Sequence, residues 1–209
     1  VELGADPKKV MVSGSLKFNV NLNADKSKVD AVLLSIKESG RTVIIAASTR
    51  EGEEQKVLRV FLKLLKENSS LLLILVPRHP ERFDSVAKLC EAQNLIVIRR
   101  SEKQVVDQST QVYLGDTMGE MLSYYQISGI AFVGGTLVDT GCQNVLEPAA
   151  LGLPVVVGPS QYNFATICGQ LEAAGGLHTV VNETELAKYL TSLISDPARQ
   201  RRIGTAARA

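Results

Sequence analysis

The sequence predicts an α/β fold, a Rossmann-like doubly wound parallel sheet. Three observations carry this. Short aliphatic runs alternate with segments whose apolar residues recur at helical spacing. The runs are apolar on both faces, as strands covered by helices on each side must be. Most runs end in a loop of glycines or polar residues, at the edge where open parallel sheets hold ligands.

Residues 1–20 read as a leading strand or linker, and residues 21–209 as one domain without an internal boundary. Residues 42–47 form a β-rich run, with Ser48 and Thr49 as candidate caps. From Glu53 onward, Val57, Val60, Phe61, Leu64 and Leu65 define one apolar helical face. Residues 71–76 make a buried strand, followed by Pro77-Arg-His-Pro80 and a helix through Phe83, Val86, Ala87 and Cys90. Residues 95–98 are a strand and 99–110 an exposed, flexible loop; 111–114 are a strand and 118–126 a helix. Strands at 130–133 and 155–157 bracket a glycine loop and a short helix with Glu147 in its first turn. Then come a helix at 164–174, a strand at 177–181 and a helix at 186–194 behind the capping box Asn182-Glu-Thr-Glu185. Residues 197–209 read as a last helix that ends without a Gly or Pro stop signal.

Composition removes several function classes. A chain of 209 residues with net charge +1 has no global electrostatic footprint for nucleic acid, and Arg99-Arg100 and Arg201-Arg202 read as solvated surface pairs. Three separated cysteines, Cys90, Cys142 and Cys168, argue against a disulfide framework and fit a reducing compartment. With two histidines and no Cys/His cluster, no structural zinc site is expected. The longest aliphatic run, residues 71–76, is far too short to span a bilayer, and no signal peptide opens the chain. The missing Met and the unfinished last helix make both ends read as cut from a longer protein.

The loops at the carboxyl edge offer ligand chemistry, each with a plainer alternative. Ser48 and Thr49, opening a helix, could hold an anion or simply cap it, with Glu51, Glu53 and Glu54 opposing a phosphate unless they point away. Arg78, held between two prolines, suits a phosphate or carboxylate; His79 reads as an ordinary loop histidine. The Gly115–Glu120 turn could read a flat heterocycle with Met118 on its rim, or be a helix cap at Asp116 or Thr117. Gly134 and Gly135 allow close backbone approach to a ligand, or form a tight turn. Glu147 could accept from sugar hydroxyls, or offset the helix dipole. No Walker loop, nucleophile elbow or G-x-G-x-x-G fingerprint is present, which counts against NAD or FAD.

The ordered motifs Gly14-Ser-Leu-Lys-Phe18, Ala47-Ser-Thr-Arg-Glu-Gly-Glu-Glu54, Pro77-Arg-His-Pro-Glu-Arg-Phe83, Leu114-Gly-Asp-Thr-Met-Gly-Glu120, Phe132-Val-Gly-Gly-Thr-Leu-Val138, Asn144-Val-Leu-Glu-Pro148 and Asn163-Phe164 together resemble the C-terminal half of the 3-deoxy-D-manno-octulosonic acid (Kdo) transferases of bacterial lipopolysaccharide synthesis. The resemblance covers essentially the whole chain. It implies the donor-binding Rossmann-like domain of a GT-B glycosyltransferase that moves Kdo, with inversion, from CMP-Kdo to a lipid A precursor. Ser48 and Thr49 would bind the phosphate or the Kdo carboxylate, and Arg78 the nucleotide. Gly115, Thr117 and Met118 would line the cytosine. Gly134, Gly135 and Thr136 would pass the phosphate or sugar; Asn144 would hold phosphate and Glu147 the ribose hydroxyls. Lys17 would reach donor or acceptor anions from the interdomain segment.

The general base and the acceptor site would belong to an N-terminal domain absent from this chain, which by itself would be soluble and inactive. No cofactor or metal is expected. Membrane association, at the cytoplasmic face of the inner membrane, would come only through the full-length protein. The other readings are a GT-B enzyme using UDP-sugars and a non-catalytic nucleotide-binding module. Ser15, Asn19 and Arg50 depart from the family pattern, and Gly141-Cys-Gln-Asn-Val145 replaces the usual Gly-Gly-His-Asn-Pro, so a His and a Gly are lost beside the expected phosphate site.

Overall fold

The computed structural model describes residues 29–209 together with Gly4, Asp6 and Lys9. The 14–18 motif, and with it Lys17, Ser15 and Asn19, lies outside the described residues, as does most of the expected leading segment.

A seven-stranded sheet carries the fold, in the order β3-β4-β2-β1-β5-β6-β7 and parallel throughout. In chain order the elements are α1 (Ala31–Glu38), β1 (Val43–Thr49), α2 (Glu53–Glu67), β2 (Leu72–Pro77), α3 (Phe83–Ala92), β3 (Val97–Arg99), β4 (Val112–Leu114), α4 (Met121–Gln126), β5 (Ile130–Val133), α5 (Leu146–Ala150), β6 (Val155–Val157), α6 (Ala165–Ala173), β7 (Leu177–Thr179), α7 (Glu183–Ile194) and α8 (Pro197–Arg208). The chain starts at the central β1, builds outward through β2, then returns to place β5 on the other flank of β1. That reversal is the switch point at which doubly wound sheets open a crevice.

The strands sort their side chains by strict alternation. Ile44 and Ala46 of β1, with Leu73 and Leu75 of β2, pack under α2, α3 and α7. Val43, Ile45 and Ala47, with Leu72, Ile74 and Val76, pack under α1 and α4. A third cluster joins β5 and β6 to α5, α6 and α8. Every residue of β2 is buried, which is why its sequence is purely aliphatic before Pro77.

Three expectations change. Helix α1 has no counterpart in the sequence reading, because only Leu33 and Ile36 of its eight residues are buried. Its start is fixed instead by Asp30, whose side chain accepts from the Leu33 amide at 3.1 Å. Residues 99–110 are more structured than a flexible loop, with a 3-10 turn at Arg100–Glu102. The Arg41 guanidinium ties this stretch to β2 by donating to the carbonyls of Ser70, Leu71, Asp107 and Thr110. The 99–100 arginine pair is correspondingly not solvated surface. Arg99 binds Asp84 and Asp116, and Arg100, nearly buried, binds Asp30 and Glu120.

The capping box is realised one residue early. Asn182 caps α7 by accepting from Thr184 and Glu185, while the Glu185 carboxylate reaches the amide of Val181.

Candidate functional site

The carboxyl ends of β1, β2 and β4 open into a cleft of about 270 Å³, on the face covered by α4 and α5. Ser48, Arg78, Thr117, Met118, Asn144 and Glu147 all line it. A larger hollow, about 550 Å³, lies at the opposite edge, where Gly129 and Pro154 lead into the strands. The smaller cleft is the better candidate, since ligands of parallel sheets sit at the carboxyl ends.

Ser48 enters the cleft by a backbone device. The β1–β2 register slips between Ala47 and Thr49, and Ser48 takes a left-handed conformation, φ 54°. A non-glycine residue held there costs about 1–3 kcal/mol and is tolerated where the surrounding structure enforces it. Here the bulge sends Ser48 to the cleft while Thr49 stays in register with Pro77 and is fully buried. The capping role foreseen for Ser48 and Thr49 is not realised: strand β1 runs through Thr49, and the N-cap of α2 is Gly52, at φ 79°.

Arg78 is exposed at the rim, its Nε donating to Gln143 Oε1 at 3.2 Å across the cleft. Across from it, Asn144 accepts from the Leu146 amide through Oδ1 and donates through Nδ2 to Glu147 Oε1 at 2.9 Å, which aims the half-buried carboxylate of Glu147. One wall of the cleft is Thr117 and Met118, the latter 61% exposed.

Behind that wall stands a charged scaffold. The Glu120 carboxylate accepts from Arg100, Thr117 and Tyr124. The bonds from Arg100 hold it below its ordinary value. Burial would raise the Asp116 carboxyl, but Ser101 and Arg99 outweigh burial and keep it low. Asp116 thus pins the 99–101 turn instead of capping α4.

Several expected residues stand apart from the cleft lining. Thr49 donates to Glu54 at 2.9 Å, and Thr136, also fully buried, donates to the Val133 carbonyl. Gly115 is buried beneath the wall, where a Cβ would fall 2.9 Å from Val76 and 3.0 Å from the Tyr124 ring. Gly134 and Gly135 are buried as well, and their loop is already occupied by a carboxylate of the chain itself. Glu53 accepts from the amides of Gly135 (2.7 Å), Thr136 (3.0 Å), Leu137 (2.9 Å) and Arg50 (3.1 Å). Burial pushes the Glu53 carboxyl above its ordinary value against the pull of those amides. The close approach that two glycines permit is therefore to an internal side chain. Its neighbour Glu54, also buried, takes the Arg82 guanidinium through both oxygens. Of the three glutamates set against an anion at this loop, Glu53 and Glu54 have turned inward, while Glu51 stays exposed.

Sequence reasoning missed Gln143 and Glu120 as lining residues and Glu53 and Glu54 as internal anions. The glutamates carried a signal: acids in the first turn of a helix whose neighbouring loops are rich in unpaired amides. Cys142 points away from the cleft, its thiol donating to the Gln143 carbonyl and packed in the same core cluster as the free Cys168 of α6. Of the two departures at 142–143, only Gln143 therefore alters the cleft.

Comparison with known proteins decides the family. Residues 35–209 match the family model for Glycosyl transferases group 1. The domain superposes on the crystal structure of the C-terminal CMP-Kdo binding domain of WaaA from Acinetobacter baumannii with a TM-score of 0.81 and 35% identity, over 87% of this chain and 94% of that one. The chain is 38% identical over 205 residues to the 3-deoxy-D-manno-octulosonic acid transferase of Haemophilus influenzae and 37% identical over 202 residues to that of Bordetella pertussis.

The chain belongs to the Kdo transferases. It covers 98% and 95% of itself in those two alignments but 48% and 47% of the relatives, so it spans about half the length of the Kdo transferases it matches. Within that family it retains the α/β Rossmann-like domain of the GT-B glycosyltransferases, and the cleft lies where the motifs converge. Among the described residues no helix is long and apolar enough to cross a membrane.

Proposed function

We propose that the chain is the donor half of a Kdo transferase and that the cleft between Arg78 and Glu147 binds CMP-Kdo. The observation that carries this is the convergence, in one cleft at the carboxyl ends of the strands, of a cation, a strand-bulge hydroxyl, an apolar wall and an oriented carboxylate. The donor presents matching groups. Its phosphate and the Kdo carboxylate suit Arg78 and Ser48. The ribose hydroxyls have protons to give to Glu147. The cytosine fits against Thr117 and Met118. The name of the solved relative, a CMP-Kdo binding domain with 35% identity, supports the same ligand.

On this reading residues 21–209 are the donor domain, with Lys17 in the segment that leads to its partner domain. The reaction is an inverting transfer: an acceptor hydroxyl of a lipid A precursor attacks the anomeric carbon of Kdo, and the bond to CMP breaks. The acceptor proton goes to a carboxylate base in the N-terminal domain, and Arg78 steadies the phosphate of the departing CMP. Leaving-group stabilisation falls to side chains, and no metal is assigned a role. The complete enzyme works at the cytoplasmic face of the bacterial inner membrane, and the 209-residue chain alone transfers nothing.

Calorimetric titration of the chain with CMP, UMP and UDP tests the reading, with EDTA present in one arm. CMP is expected to bind most tightly, unchanged by the chelator. Tighter UDP binding, or loss of CMP binding with EDTA, would overturn the ligand or the metal assignment respectively.

A further inference from the structure

We infer that Glu53 is the positioning residue of the proposed donor site: its buried carboxylate, clamped in the glycine loop, sets the distance between the strand bulge that carries Ser48 and the wall that carries Gln143, Asn144 and Glu147. The inference rests on the donor reading, but its geometry stands on its own.

The contacts form a chain. Glu53 Oε2 accepts from Arg50 and Gly135, and Oε1 from Thr136 and Leu137, so one carboxylate bridges the loops after β1 and β5. Gly134 in turn donates to Ala47 at 2.8 Å and accepts from the Gln143 amide at 3.2 Å. A Cβ on Gly134 would sit 2.6 Å from the Ser48 carbonyl and 2.8 Å from Glu53 Oε2, so there is no slack in this junction. Any shift of the glycine loop is handed to Ser48 on one side and to Gln143, the partner of Arg78, on the other.

Three successive amides make a concavity that attracts an anion. Here the anion is built in. Among the described residues Glu53 pairs with no cationic side chain, so these backbone dipoles are what balances its charge. It follows that the loop cannot give the same amides to a donor phosphate. Phosphate recognition falls to the side chains across the cleft.

The test uses Glu53→Ala and Glu53→Gln in the 209-residue chain, with thermal melting and CMP titration in sodium formate and, at equal ionic strength, sodium chloride. Glu53→Ala empties the nest to roughly the size of a formate ion. Its CMP affinity is expected to fall about tenfold or more, as for a misplaced site wall. Formate, not chloride, restores most of that affinity and raises the melting temperature of the variant without moving that of the parent. Glu53→Gln keeps one acceptor but turns an NH₂ toward amide donors; it binds CMP more weakly than the parent and does not respond to formate.

Unchanged CMP affinity in both variants would overturn the inference, as would a loss in Glu53→Ala that formate leaves untouched. If Glu53→Ala does not fold in either salt, Glu53→Gln decides by its CMP affinity. Should the parent chain fail to bind CMP at all, the donor reading falls, while formate-dependent melting of Glu53→Ala still reports on the clamp.

Discussion

The two loops on either side of the switch point are built on opposite plans. The loop after β5 is buried, and a carboxylate from α2 occupies its amides. On the rim, Arg78 and Met118 are exposed, Thr117 is half-buried, and one side-chain bond from Arg78 to Gln143 joins the rim across the cleft. In sequence the first looks like the ligand loop, because it has the glycines. In space the second has the groups still able to meet a ligand. Saturated polar groups build a site, and those that keep reach into it do the recognising.

Substitutions on the two plans separate stability from binding. The largest loss is expected behind the rim. Arg100→Ala strands the largely buried Glu120 carboxylate and should cost about 3 kcal/mol of stability, read from urea unfolding, because breaking a buried pair leaves an uncompensated charge. A cost under about 1 kcal/mol would place this network with surface ion pairs instead. Gly134→Ala comes next. Overpacking against the Ser48 carbonyl and Thr49 Cα should cost about 2 kcal/mol, with a visible drop in melting temperature.

On the rim the pattern inverts. Arg78→Ala should leave stability within about 0.5 kcal/mol and weaken CMP about tenfold, or ~1.4 kcal/mol. A destabilised variant would erase the contrast between the two loops. The smallest effect is a pH dependence. Glu120 is held below its ordinary value of 4.5, so its stabilisation is complete above that pH and is lost as pH falls below 4.5 through the folded value. Glu120→Gln should therefore flatten the acid limb of the stability profile relative to the parent; identical limbs would remove Glu120 from the account.

The strands were readable because a buried parallel sheet writes itself as uninterrupted Val, Ile and Leu, and the runs at 71–76, 130–133 and 155–157 each form a strand within a residue of the expected bounds. Helix α1 was not, since two buried residues give too thin a stripe to stand out. In the cleft, Ser48, Arg78, Met118 and Glu147 were legible from residue type and loop position, and Thr117 and Asn144 only through the family resemblance. What could not be read was pairing at long range. Arg99 and Arg100 look solvated until Asp84, Asp116, Glu120 and Asp30 arrive from distant parts of the chain. Likewise, nothing local says that the partner of the glycine loop is Glu53, more than eighty residues upstream.

The bulge at Ser48 has a consequence for retargeting this domain to other activated sugars. Because a left-handed kink, not a loop sequence, fixes where that hydroxyl sits, a Gly at this position would keep the path of the chain and delete one functional group, whereas β-branched residues would unseat the strand end. A library meant to change the donor should therefore randomise Arg78, Thr117 and Met118, offer only small or φ-tolerant residues at 48, and leave the glycine loop untouched.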